Sequence, residues 1–142
     1  MKDKTYSIEE VQDRIAIEDL YDRQLEAAEA FDFPLYDTTF SDNAELDLSD
    51  FGLQPCQYPD YREWLAKMRE AIVYAQRIRG GLSLKLDGKT AHTRVPVTCH
   101  VGFRSAESVA LVNTGIFYED SLEKLPQGWR IVRRRETLSW SS

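Results

Sequence analysis

The sequence predicts a single α+β domain over residues 1–142, with helices first and a mostly antiparallel curved sheet last, wrapped onto those helices. Three observations carry this. Apolar residues recur at helical spacing in two blocks before Gly80, alternation takes over after Gly81, and no repeat, linker or low-complexity tract divides the chain. An apolar fraction of 42% with 11% aromatics in 142 residues is enough for one core.

Ser7 and Glu10 have the spacing of a capping box, and the helix that follows sets Ile17, Leu20, Tyr21, Gln24, Ala28 and Phe31 on one face. At about 100° per residue, Glu29 falls roughly 110° from the centre of that stripe, on the border where an acid is either solvated or looks into a cavity mouth. Pro34 stops this helix and can open a short second one through Leu35 to Phe40. Ser41 to Asn43 reads as a turn before a short strand, Glu45 to Ser49, ended by Asp50 and Gly52. Pro55 to Pro59 reads as a loop. Asp60 with Glu63 then opens a helix whose apolar positions, Tyr61, Trp64, Leu65, Met68, Ala71, Ile72 and Ala75, keep i, i+3, i+4 spacing.

Gly80 and Gly81 end the helical region. In LSLKLDGKTAHTRVPVTCHVGFR, Asp87 and Gly88 suit a tight turn between two alternating runs. On the second run Val95, Val97, Cys99, Val101 and Phe103 share one face, and His100 lies on the other. Either the apolar face is core and His100 points to solvent or an interface, or the apolar face packs on a partner sheet and His100 lines a pocket. In the second case that face, as a large apolar patch, is a dimer interface. His92, just after the turn, reads as an exposed strand residue.

A further run, Ser108 to Tyr118, leads through a polar loop to the closing strand. There the turn at Pro126 to Gly128 delivers Trp129 into alternation, with Ile131, Arg133 and Arg135 on one face and Val132, Arg134, Glu136 and Leu138 on the other. Glu136 thus sits among aliphatic neighbours. Burying it alone would cost several kcal/mol, so it is either paired, with Arg134 reaching along the strand, or functional.

The net charge of −6 argues against a nucleic-acid partner. The charged MKDKTYSIEEV start has no apolar signal-peptide region, and no run approaches the ~18 apolar residues of a membrane span, so a cytoplasmic protein is expected. Cys56 and Cys99 have no CxxC spacing and the histidines are only His92 and His100, so neither a disulfide framework nor a metal site is expected.

Four pieces, in this order, resemble the SnoaL-like branch of the nuclear transport factor 2-like superfamily over nearly the whole chain. They are AIEDLYDRQLEAAEAFDF on the first helix, TTFSDNAELDLSDFG around the first strand, the LKLDGKTAHTRVPVT hairpin and the ending QGWRIVRRRETLSW. The resemblance implies a cone-shaped α+β barrel whose open end holds a small hydrophobic molecule, often in a homodimer packed sheet to sheet. Many members are cofactor-free enzymes: polyketide cyclases, scytalone dehydratase, steroid isomerases, limonene epoxide hydrolase, a hexachlorocyclohexane dehydrochlorinase and pyran-forming cyclases. Others are non-catalytic.

Residue by residue, the resemblance puts Glu29 where the dehydratase and the dehydrochlorinase have an aspartate that works with a histidine. Arg77 falls at the partner histidine, and a guanidinium cannot serve as a base near neutral pH. His100 falls where the dehydratase has a second pocket histidine, and His100 with Glu136 resembles the acid/base pair of pyran-forming members. Asn113 or Thr114 occupies the place of a pocket amide or hydroxyl. Tyr21 and Trp64, on the apolar stripes of two helices, complete the expected substrate-binding set.

A carboxylate beside an imidazole favours its protonated form and fixes its tautomer, so a His100–Glu136 pair would act as a general acid. The expected function is cofactor-independent acid/base cyclisation or isomerisation, or epoxide opening, of a small hydrophobic polyketide-, aromatic- or terpenoid-like molecule. The alternatives are a dehydratase or dehydrohalogenase using Glu29 or Glu136 as base with Arg77 as anion binder, and a non-catalytic ligand-binding or assembly domain such as a dioxygenase small subunit.

Overall fold

In the computed structural model, which describes all residues from Met1 to Ser142, Ser7 caps helix α1 (Ile8–Ala30) by accepting from the Glu10 N–H, and the Glu10 side chain returns the bond to the Ser7 N–H. The expected capping box is therefore present. Phe31, in the left-handed region at φ 52°, ends the helix, and Pro34 lies in the first turn of the four-residue helix α2 (Phe33–Tyr36).

Seven strands form one curved, unclosed sheet: β1 (Phe40–Asp47), β2 (Cys56–Gln57), β3 (Ile72–Arg79), β4 (Ser83–Asp87), β5 (Thr90–Ser105), β6 (Ser108–Leu125) and β7 (Gly128–Ser141). Their order is β2-β1-β7-β6-β5-β3, and β4 also pairs with β5. All neighbours are antiparallel except β1 and β7, because β1 comes before the meander and joins its last strand alongside it. The Asp87–Gly88 turn joins β4 to β5, with Gly88 at φ 60°, a conformation that glycine adopts without Cβ strain. Helix α3 (Tyr58–Met68) and α1 cover the inner face of the sheet.

Several expected boundaries differ. Ser41 to Asn43 is not a turn: it lies within β1, in a stretch where the register with β7 slips. The expected loop before α3 contains β2, and α3 starts at Tyr58 with Pro59 in its first turn and no side-chain cap, so Asp60 is not its opening residue. α3 stops at Met68, and after one 3-10 turn the chain becomes β3 from Ile72 onward. A register slip between Ile72 and Tyr74 lets Ile72, Ala75 and Arg77 all face inward, and this spacing imitates a helix. The expected polar loop after Tyr118 is strand, since β6 continues to Leu125.

The face carrying Val95, Val97, Cys99, Val101 and Phe103 is the inner one. Val95 and Val97 are 0% and 2% exposed and belong to the core cluster with Ile17, Leu20 and Leu46. Helices cover this face, so it is not available as a dimer interface, and His100 points to the outer side. No helix is long and apolar enough to cross a membrane.

Candidate active-site cavity

Between α1, α3 and the inner face of the sheet lies a cavity of about 220 Å3. This is below the roughly 300–1,000 Å3 of pockets for drug-sized ligands. Of its 24 lining residues 20 are hydrophobic; the exceptions are Gln24, Arg77, Thr114 and Glu136. Trp64, stacked on Tyr61 at 5.8 Å between centroids, forms part of the apolar wall from α3.

Glu136 reaches the cavity because β7 bulges. Ile131 pairs with Leu122 and Arg133 with Ser121, so Val132 is the extra residue and the inward set becomes Trp129, Ile131, Arg134 and Glu136. Simple alternation had put Ile131 on the opposite face from Glu136; the bulge overturns that. The Glu136 carboxyl is 7% exposed, and burial pushes its pKa above the usual range, with the Arg134 and Arg77 charges only partly opposing the shift.

Arg134 is the largest fully buried side chain. It donates two hydrogen bonds to Asp120 on β6, Nε at 2.9 Å and Nη2 at 2.8 Å, while its Nη1 lies 3.9 Å from Glu136 Oε1. Its Cζ stands 3.8 Å from the Tyr118 ring centroid. Asp120 also accepts from the Tyr21 hydroxyl, which meets Thr93 as well. Tyr21 is thus a member of this buried network beneath the cavity and is not on the cavity wall, contrary to expectation. The bidentate partner of Arg134 is Asp120, so Glu136 has no full ion pair and its carboxyl remains the cavity's own acid.

Arg77 enters the cavity from the edge strand β3. Its Nη1 is buried without a hydrogen-bond partner. Its backbone N–H, on the free edge of β3, donates to Glu29 Oε1 at 2.6 Å. Glu29 therefore secures the strand that carries Arg77 and is not among the cavity-lining residues. The Cys99 thiol, also on the lining, is held above its usual pKa by burial, against the pull of Arg77.

The expected His100–Glu136 pair does not form. His100 is on β5 and Glu136 on β7, with the whole of β6 between them, and the two side chains leave opposite faces of the sheet. The His100 Nδ1 lies 2.8 Å from Asn113 Oδ1, so Asn113 shares the outer face and Thr114 is the member of that couple that lines the cavity. His92 is exposed beside Ser121, as expected. Sequence reasoning missed two groups: Asp120, assigned to a loop, and Gln24, read only as part of an apolar stripe. A glutamine at a core position of α1 was the available signal for the second.

Residues 9–135 match the family described as SnoaL-like domain. An uncharacterized protein of Mycobacterium tuberculosis, Rv2910c, is 30% identical over 131 residues, which is 92% of this chain and 88% of that protein. Among solved structures, the Kfla4162 protein of Kribbella flavida superposes with a TM-score of 0.85 at 20% identity, over 93% of this chain and 94% of that one. Hexachlorocyclohexane dehydrochlorinase LinA-type3 of Novosphingobium barchaimii gives 0.80 at 16%, over 93% and 90%. A candidate scytalone dehydratase of Novosphingobium aromaticivorans gives 0.82 at 13%, over 93% and 87%. At such identities these structures establish a common fold and nothing narrower. The family match over nearly all of the chain, on a curved sheet whose inner face is closed by helices, is the stronger statement: this chain belongs to the SnoaL-like domain family.

Proposed function

We propose that the chain is a cofactor-independent enzyme that moves a proton on a small hydrophobic molecule, with Glu136 as base and then acid and Arg77 as the anion-binding group. One observation carries the reading: in a largely apolar cavity, a buried carboxyl of raised pKa shares the walls with a buried guanidinium whose Nη1 has no partner.

The chemistry follows from these two groups. Ionised Glu136 takes a proton from a carbon next to a carbonyl, the C–H electron pair moves into the new C=C bond, and the carbonyl oxygen becomes an oxyanion that Arg77 Nη1 meets with a hydrogen bond. Returning the proton to another carbon completes an isomerisation; attack of the enolate carbon on an internal carbonyl breaks that C=O π bond, and protonated Glu136 returns its proton to the alkoxide formed, which completes a cyclisation. Such positioned proton transfer is worth about 10²- to 10⁴-fold in rate. Thr114 and the Trp64 wall hold the molecule, and the apolar surroundings strengthen each polar contact.

The same pair supports a second reading as a lyase. In a dehydrohalogenase-like step Glu136 takes the proton, the C–H pair forms the C=C bond and Arg77 receives the departing halide. In a dehydratase-like step protonated Glu136 passes that proton to the departing hydroxyl, which leaves as water. The free guanidinium N–H favours it, and a dehydrochlorinase is among the proteins that share the fold. In either case we place the enzyme in the cytoplasm, in secondary or catabolic metabolism of aromatic, polyketide-like or terpenoid-like compounds. A homodimer formed through the outer face, where Tyr74, Ile78, Leu111 and Trp140 are exposed, is part of this reading.

The test is exchange of the α-protons of 2-tetralone in D2O, followed by NMR. The wild-type protein should accelerate exchange above the buffer rate, and Glu136→Gln and Arg77→Met should each remove most of the acceleration. No acceleration by the wild type, or full acceleration by the folded Glu136→Gln variant, sinks the assignment.

A further inference from the structure

Gln24 is 1% exposed, lines the cavity from α1, and its Oε1 has no hydrogen-bond partner. A buried amide oxygen left unpaired costs free energy, and native proteins rarely keep one without use. Its orientation is set by a short chain of donors and acceptors. The Thr39 hydroxyl, fully buried, donates to the Tyr36 carbonyl oxygen at 2.7 Å, which uses its one proton. It can then only accept from Gln24, and Gln24 Nε2 stands 2.8 Å from it. With Nε2 held there, Oε1 is the amide atom left over. A reversed amide would put two unpaired N–H groups in its place, which is worse.

We infer that Gln24 is a specificity residue that accepts a hydrogen bond from a hydroxyl, or an equivalent O–H or N–H donor, on the cavity's ligand. The ligand is then a small, mostly apolar ring compound bearing a donor group for Gln24. This rests on the proposed reading of the cavity as the substrate site, but not on the roles given to Glu136 and Arg77 in catalysis. Thr39 acts through Gln24 and is a positioning residue.

Three probes separate the donor from the rest of the molecule: 2-naphthol, its methyl ether 2-methoxynaphthalene, which keeps an acceptor oxygen and loses the donor, and naphthalene, which has neither. Affinities are measured by isothermal titration calorimetry. The wild-type protein should bind 2-naphthol at least about tenfold more tightly than 2-methoxynaphthalene, because the ether leaves Oε1 unpaired. In Gln24→Met the ratio should fall to near one while naphthalene binding persists, which also shows that the variant is folded. Thr39→Val, a second variant of unchanged volume, frees the amide to rotate and should narrow the same ratio. A wild-type ratio near one, tighter binding of the ether, a hydroxyl preference that survives in Gln24→Met, or an unchanged ratio in Thr39→Val overturns the inference and leaves the proton-transfer reading standing. Failure of the wild type to bind 2-naphthol at millimolar concentration overturns both this inference and the placing of the substrate in the cavity.

Discussion

His100 and Glu136 occupy opposite faces of one sheet with strand β6 between them, so the only carboxyl on the cavity lining has no imidazole beside it. His100 instead meets Asn113 on the outer face. Replacing His100 with Ala is therefore expected to leave turnover within about twofold of wild type, the range of a substitution that touches no reacting atom. A loss of a hundredfold or more would restore the histidine to the mechanism and require the sheet to present its other face to substrate.

The Arg134–Asp120 pair is held by two hydrogen bonds in a setting where Arg134 is 1% and Asp120 3% exposed. Forming such a pair gains little over an apolar core, but breaking it strands a charge. Asp120→Asn is expected to destabilise the fold by about 3–5 kcal/mol and Arg134→Met by a similar amount. The double variant should cost less than the sum of the two, since each single change leaves the other charge unpaired. Chemical denaturation of all three checks this; additive losses would mean that the pair is not a unit.

The part of the fold that was legible in the sequence is local. The Ser7–Glu10 capping box and the Asp87–Gly88 turn are decided by a few adjacent residues, and both are as expected. The site was less legible because register slips decide which residues face it. Val132 bulges in β7 and thereby joins Ile131 to the face of Arg134 and Glu136; Val73 does the same in β3 and disguises a strand as the end of a helix. Asp120 could not be matched to Arg134 while its segment passed for a loop. Glu136 does line the largely apolar cavity, yet the partner expected for it lies on the other face, because period-two spacing orders residues along one strand and says nothing about which strand intervenes.

Glu29 accepts the edge N–H of Arg77, so it is expected to influence the cavity only through strand β3. Glu29→Ala should cost about 1–2 kcal/mol of stability and raise KM more than it lowers kcat, since it loosens the strand that carries the guanidinium. Glu29→Gln keeps an acceptor oxygen and should recover most of both. A collapse of kcat in Glu29→Gln, with KM unchanged, would instead make Glu29 a proton-transfer group.

In the proposed mechanism the raised pKa of Glu136 links stability and activity through one proton. Because the folded state holds this proton more tightly than the unfolded chain does, the contribution to stability is fully present below the unfolded pKa, near 4.5. It is lost as pH rises through the folded value. Glu136→Gln carries no such proton, so its stability relative to wild type should step upward across that window, and other carboxyls cancel in the difference. With ionised Glu136 as the proposed base, kcat/KM should rise with pH through the same folded pKa, above the ordinary carboxylate range. The stability difference must therefore level off at the pH where the ascending limb of the rate is half-risen, since both report the folded pKa. A flat stability difference, or an ascending limb within the ordinary carboxylate range, would show that the buried carboxyl titrating in the fold is not the base that limits the reaction.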